Sequence, residues 1–156
     1  MPRRAKVFKR EILPDPKFGN QTITLFINKL MQKGKKATVQ NIVYDAFDII
    51  EKQTKKNPTD VFNDALKNST PLLQVKARRV GGATYQVPIE VPAKRGMMMA
   101  MRWLVLYSRE RSGHSMAEKL AAELISASQG EGSTIKKRQD VHKMAEANKA
   151  FAHFRW

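Results

Sequence analysis

Cysteine is absent from the 156 residues, which removes disulfides and cysteine-ligated zinc at the outset. Packing alone must hold the fold, and a reducing compartment is compatible with that. Long apolar runs are missing too. A bilayer span takes about 20 consecutive apolar residues, and no stretch of the chain approaches this. Met1-Pro2-Arg3-Arg4-Ala5-Lys6 leads into no apolar signal core, and neither end carries a lipidation pattern. No membrane partner is therefore expected. Acid is scarce: 14 Asp and Glu stand against 29 Lys and Arg, a formal net charge of +15. Such an excess opposes compaction by self-repulsion, so it points to a polyanionic partner, and nucleic acid fits best.

Catalytic and metal motifs are equally thin. His114, His142 and His153 lack a chelating helical spacing. Gly34-Lys35 looks like the end of a phosphate-binding loop, but position 29 is lysine and no Ser or Thr follows Lys35. There is no G-x-S-x-G and no G-x-G-x-x-G. The reading is of a protein that is not an enzyme, with no cofactor and no metal.

What is present suffices for a core, since 42% of the residues are hydrophobic. Residues 1–19 read as an extended basic arm. Arg3, Arg4, Lys6, Lys9 and Arg10 precede the first acid, Glu11, and Pro14 and Pro16 keep the backbone extended. Residues 20–156 read as a single domain, mainly α, a bundle of about six helices. Ile23, Phe26, Ile27, Leu30 and Met31 recur at helical spacing and stop at Gly34. Val39 to Ile50 carries a second helix, whose outer face offers Asp48 to Lys52 and Glu51 to Lys55. Asn57-Pro58-Thr59-Asp60 is a cap, a first-turn proline and a dipole-matched acid, opening a third helix that Pro71 ends. Residues 45–64 carry a net charge of −2 against the +15 of the whole, so the chain is polar in charge as well as basic. That acidic region faces water or a basic neighbour.

From about 72 to 91 the period changes to two. Val75 and Ala77 alternate with Lys76 and Arg78, Gly81-Gly82 makes a turn, and Tyr85, Val87, Ile89 and Val91 follow. This is a β-hairpin. Pro88 cannot donate to a ladder and marks an edge. A ribbon of two strands is marginal alone, so it packs at its base and projects. Lys76, Arg78 and Arg79 lie on a ribbon whose width suits a nucleic-acid groove, and the glycines let its tip approach a backbone closely. Edge-strand charge also serves simply to prevent aggregation. Ala93 to about Glu110 is apolar nearly all round, with Met97, Met98, Met99 and Met101 as core filling and Arg95, Arg102 and Arg109 on one stripe. Lys35 and Lys36 neutralise the end of the first helix, meet phosphate, or do both. Ser115-Met116-Ala117-Glu118 is a capping box for a fifth helix, and Ser133 is positioned to cap a sixth.

The run Lys76-Ala77-Arg78-Arg79-Val80-Gly81-Gly82-Ala83-Thr84-Tyr85-Gln86-Val87-Pro88 closely resembles the bacterial-type small-subunit ribosomal protein seven family. Gly34-Lys35-Lys36, Met101-Arg102-Trp103-Leu104-Val105, Lys137-Arg138 and the stretch from His142 to His153 match it as well. The resemblance spans essentially the whole chain. It implies six helices with a protruding ribbon, direct binding to small-subunit ribosomal RNA, nucleation of head assembly, and a place near the exit site. The ribosomal RNA contacts it implies are Arg3, Arg4, Lys6, Lys9, Arg10, Lys35, Lys36, Lys76, Arg78, Arg79, Lys94, Arg95 and Arg102. The vicinity of exit-site transfer and messenger RNA would involve Arg79, Gly81, Gly82, Lys149, Arg155 and Trp156. Neighbouring small-subunit proteins are further implied partners, homo-oligomers are not, and the location is a cytoplasmic or organellar ribosome. An architectural DNA-bending protein is the main competing reading. Its wedge residue is missing from the Gly81-Gly82-Ala83 tip. An RNA-processing enzyme lacks its catalytic constellation, and a membrane-surface or scaffold role leaves the ribbon unexplained.

Overall fold

Asn57 accepts a hydrogen bond from the Thr59 amide through its side chain, and Pro58 occupies the first helical position, as the sequence predicts. The computed structural model describes residues 11–154. The helices are α1 (Gln21–Leu30), α2 (Lys36–Thr54) and α3 (Pro58–Ser69). The strands β1 (Leu73–Val80) and β2 (Ala83–Glu90) follow, then α4 (Ala93–Glu110), α5 (Met116–Ser128), α6 (Ser133–Ala147) and a closing 3-10 helix, Lys149–Phe154. The architecture is mainly α with one antiparallel hairpin, as expected.

The apolar faces of α1, α2 and α3 meet in a cluster of three fully buried phenylalanines. Phe26 and Phe47 flank Phe62 at 5.2 and 5.8 Å between ring centroids. Met101 and Leu104 of α4 and Leu120 and Leu124 of α5 complete the core. The α4 helix is less enclosed than its composition suggests. Met101 is fully buried, but Met97, Met98 and Met99 are half-buried and Leu106 is exposed.

Three expectations need correction. Residues 15–18 are not extended: the buried Asp15 carboxylate accepts from the Lys17 and Phe18 amides and from Tyr44 Oη, and Phe18 packs on Phe47 at 5.1 Å. Burial and that contact push the Tyr44 hydroxyl above its ordinary range. Asp48 is claimed not by Lys52 but by Lys17, at 3.2 Å, because the turn brings Lys17 over α2. Ser133 is not the cap of α6. Gly132 holds that position at φ 94°, and the cap arrives from another helix: Glu123 of α5 accepts from the Thr134 amide at 3.1 Å and from its hydroxyl at 2.6 Å.

The hairpin runs in the register Leu73↔Glu90 to Val80↔Ala83, closed by Gly81 (φ 56°) and Gly82 (φ 90°). A two-residue loop with both φ positive matches the twist of the strands, which is why two glycines stand there. Arg78 pairs with Tyr85 and Lys76 with Val87, so these four share one face; Arg79 pairs with Thr84 on the other.

Candidate nucleic-acid interface

Between residues 72 and 109 the chain has seven bases and one acid, Glu90. The ribbon and α4 supply them. Lys76, Arg78 and Arg79 are exposed along β1, beside the exposed tip glycines Gly81 and Gly82. Two residues beyond the end of β2, the chain enters α4, whose first turn carries the exposed Lys94 and Arg95. Arg102 is exposed two turns on, along the same stripe. From Arg95 to Arg109 the stripe spans about 21 Å at ~1.5 Å per residue.

The third arginine of the stripe has another use. Arg109 Nη2 donates to the Leu30 carbonyl at 3.1 Å, meeting the last turn of α1. The starts of α1 and α4 also lie together, since Thr22 and Leu25 share a cleft with Ala93, Lys94 and Met97. The two helices therefore run side by side in the same direction. Because Arg109 attends to the α1 terminus, Lys35 and Lys36 are not needed there. They stand instead at the other pole of the next helix: Lys35 is the N-cap of α2 and Lys36 its first residue, both exposed. Cations at a helix N-terminus oppose the macrodipole, whereas an anion there is favoured. The start of α4 repeats the arrangement, with no side-chain cap, no acid in the first turn, and Lys94 and Arg95.

Sequence reasoning passed over Lys33, which is exposed in the same loop at φ 51°. Three bases in the four residues Lys33-Gly34-Lys35-Lys36 were the available signal. Lys149 is exposed at the start of the 3-10 helix. Arg3, Arg4, Lys6, Lys9 and Arg10, with Arg155 and Trp156, lie outside the described residues. Among the described residues no group of three or more His, Asp or Glu is placed to hold a metal ion, and no helix is long and apolar enough to cross a membrane. An array of exposed cations at helix starts and along a ribbon can do electrostatic work on phosphates.

Residues 2–149 match the family described as ribosomal protein S7p/S5e. The chain belongs to that family. The small ribosomal subunit protein uS7 of Desulforamulus reducens is 56% identical over 156 residues, covering all of both chains. Those of Cellvibrio japonicus and Moorella thermoacetica are each 59% identical over the same full length. S7p/S5e membership makes the chain a structural protein of the small ribosomal subunit and not an enzyme. The matched span takes in every exposed base of the ribbon, of α4 and of the loop before α2.

Proposed function

We propose that this S7p/S5e protein binds small-subunit ribosomal RNA directly, through the ribbon, the α4 stripe and the loop before α2. The observation that carries the reading is the placing of lysine and arginine pairs at two uncapped helix starts, Lys35-Lys36 and Lys94-Arg95. Free of RNA, those charges oppose the helix dipoles; a phosphate at each start satisfies cation and backbone together. Lys76, Arg78, Arg79 and Arg102 extend the same surface, and the basic residues Arg3, Arg4, Lys6, Lys9 and Arg10 add to it. Binding at a junction of the head RNA orders that junction and so nucleates head assembly. The ribbon tip at Arg79, Gly81 and Gly82, with Lys149, Arg155 and Trp156, lies towards transfer and messenger RNA at the exit site. The exposed acids of α2 and α3 (Asp45, Asp48, Asp60 and Asp64) meet basic neighbouring proteins of the subunit. Specificity follows RNA shape and unpaired loops, since side chains cannot read the deep groove of an A-form helix.

The test is a salt series of binding to a head-domain RNA fragment, beside duplex DNA of equal length and an unrelated structured RNA. Preference for the head fragment that survives moderate salt is expected. Equal binding to all three, lost together as salt rises, would refute the reading and favour architectural binding of duplex.

A further inference from the structure

The cations of the ribbon need a rigid mount, yet a two-stranded sheet is marginal in water. The end of the chain supplies contacts that nothing in the ribbon's own sequence announces. Leu72 and Val91 close the root of the ribbon, the Val91 amide donating to the Leu72 carbonyl at 2.9 Å. The Leu72 amide donates in turn to His142 Nε2 of α6 at 3.0 Å. One turn earlier on α6, Arg138 Nη1 donates to the carbonyl of Asn68, in the last turn of α3. The Asn68 carboxamide donates to the Ala127 and Ser128 carbonyls at 3.1 and 2.9 Å, so the joint between α3 and β1 is tied to α5 as well. Farther along, the Tyr85 ring lies 5.2 Å from Phe151 and 5.3 Å from Phe154. Tyr85 is the cross-strand partner of Arg78, so the aromatic contact falls across from the middle of the cationic strand.

We propose that α6 and the 3-10 helix form a brace that sets the pose of the ribbon, with His142, Phe151 and Phe154 as positioning residues. They hold Lys76, Arg78 and Arg79 where RNA meets them and do not touch RNA themselves. Two grips are needed because a single one leaves a pivot. His142 holds the root, and the two phenylalanines hold the ribbon nearer its tip. Both come from the same stretch of chain, so the ribbon and the C-terminal segment move as one body. The proposal rests on the RNA-binding reading for its consequence, but the brace itself is measurable without RNA.

The experiment compares the full chain with Phe151→Ala/Phe154→Ala, His142→Ala, His142→Gln and Lys76→Ala/Arg78→Ala. Amide hydrogen exchange is read over β1 and β2, with the thermal midpoint of the bundle, and then affinity and salt slope on the head-domain RNA fragment. The phenylalanine pair should speed ribbon exchange about tenfold, given the strength of aromatic contacts, while the bundle midpoint stays close to the parent's. Affinity should fall about three- to tenfold, because the ribbon must now be ordered on binding. The salt slope should not change, since the number of phosphate contacts does not. His142→Ala should deprotect the Leu72 amide, and His142→Gln, which restores an acceptor, should recover it. Lys76→Ala/Arg78→Ala should do the reverse: slope lowered, exchange unaltered. Ribbon exchange at the parental rate in the phenylalanine variant would overturn the brace. Affinity lost with ribbon exchange unchanged would place the aromatics on RNA and overturn it as well. So would equal loss of ribbon protection and bundle midpoint, which would make the segment part of the core. If the parent shows no preference for the head fragment, the RNA reading fails while the exchange results still decide the brace.

Discussion

A β-carbon at position 96 would lie 2.9 Å from Thr70 Cγ2 and 3.0 Å from the Pro71 carbonyl oxygen. In an ordinary helix interior, alanine for glycine stabilises by about 1 kcal/mol. Here α4 approaches the α3–β1 joint too closely, and the backbone oxygen cannot yield. Gly96→Ala should therefore destabilise, by about 1–3 kcal/mol, read as a lower urea midpoint with unchanged slope. Glu123 gives a second test. Its fully buried carboxylate takes Arg111 Nε at 2.5 Å and both Thr134 donors, so one side chain joins the end of α4, the body of α5 and the start of α6. Glu123→Ala leaves the Thr134 donors without an acceptor and should lower stability by about 1–3 kcal/mol. Ser133→Ala, at the position that local pattern marks as a cap, should shift the midpoint little. Local pattern points to Ser133 because a capping residue is sought next to its helix; the acceptor that serves is ten residues upstream.

The elements themselves, apart from the closing 3-10 helix, were legible. Apolar spacing, Asn57-Pro58 and the change of period at Leu72 place the helices and the hairpin, because these signals act within a few residues. The exposed bases of the ribbon, of α4 and of the loop before α2 were legible for the same reason. What was hidden joins residues far apart in the chain: Lys17 with Asp48, Arg109 with Leu30, His142 with Leu72, and Tyr85 with the C-terminal phenylalanines. No periodicity carries such pairings. The hairpin turn can be tested as a unit. Gly82→Ala places a β-carbon at φ 90°, and the strain of a left-handed non-glycine residue is about 1–2 kcal/mol. It should loosen amide protection in β1 and β2 and leave the helical bundle's thermal midpoint nearly unchanged. The joint between α6 and the ribbon should also sense pH. Burial, and then the nearby Arg138, lower the pKa of His142 from its usual 6.5. Its Nε2 must stay unprotonated to accept from Leu72. The unfolded chain binds that proton more readily than the folded one. The contribution is thus complete above the unfolded pKa and is lost as pH falls from there towards the lowered folded value. Between about pH 8 and about pH 5, the parent should lose more stability than His142→Gln; equal losses would remove His142 from the account.

At the scale of the whole molecule the question is whether charge acts as a total or by position. The net charge of +15 would attract any polyanion, and if it acted as a sum, every unit of charge would count alike. The arrangement is not of that kind. Lys94, Arg95 and Arg102 stand exposed on α4, while Asp60 and Asp64 line a separate cleft of about 450 Å³ with Ile125, Ser128 and Gln129. Two variants separate the alternatives. Lys94→Ala/Arg95→Ala/Arg102→Ala removes three positive charges from α4; Asp60→Asn/Asp64→Asn adds two units of positive charge at the separate cleft. Each phosphate contact contributes ~0.7 to ~0.9 to the slope of log affinity against log salt. The α4 variant should lower that slope by about 2–3 on the head-domain RNA fragment and weaken binding most at low salt. The aspartate variant should leave the slope as it is, even though it makes the protein more basic. Were the slope instead to follow net charge, falling in the first variant and rising in the second, the positions of the cations would not matter, and the protein would be acting on RNA as a diffuse polycation.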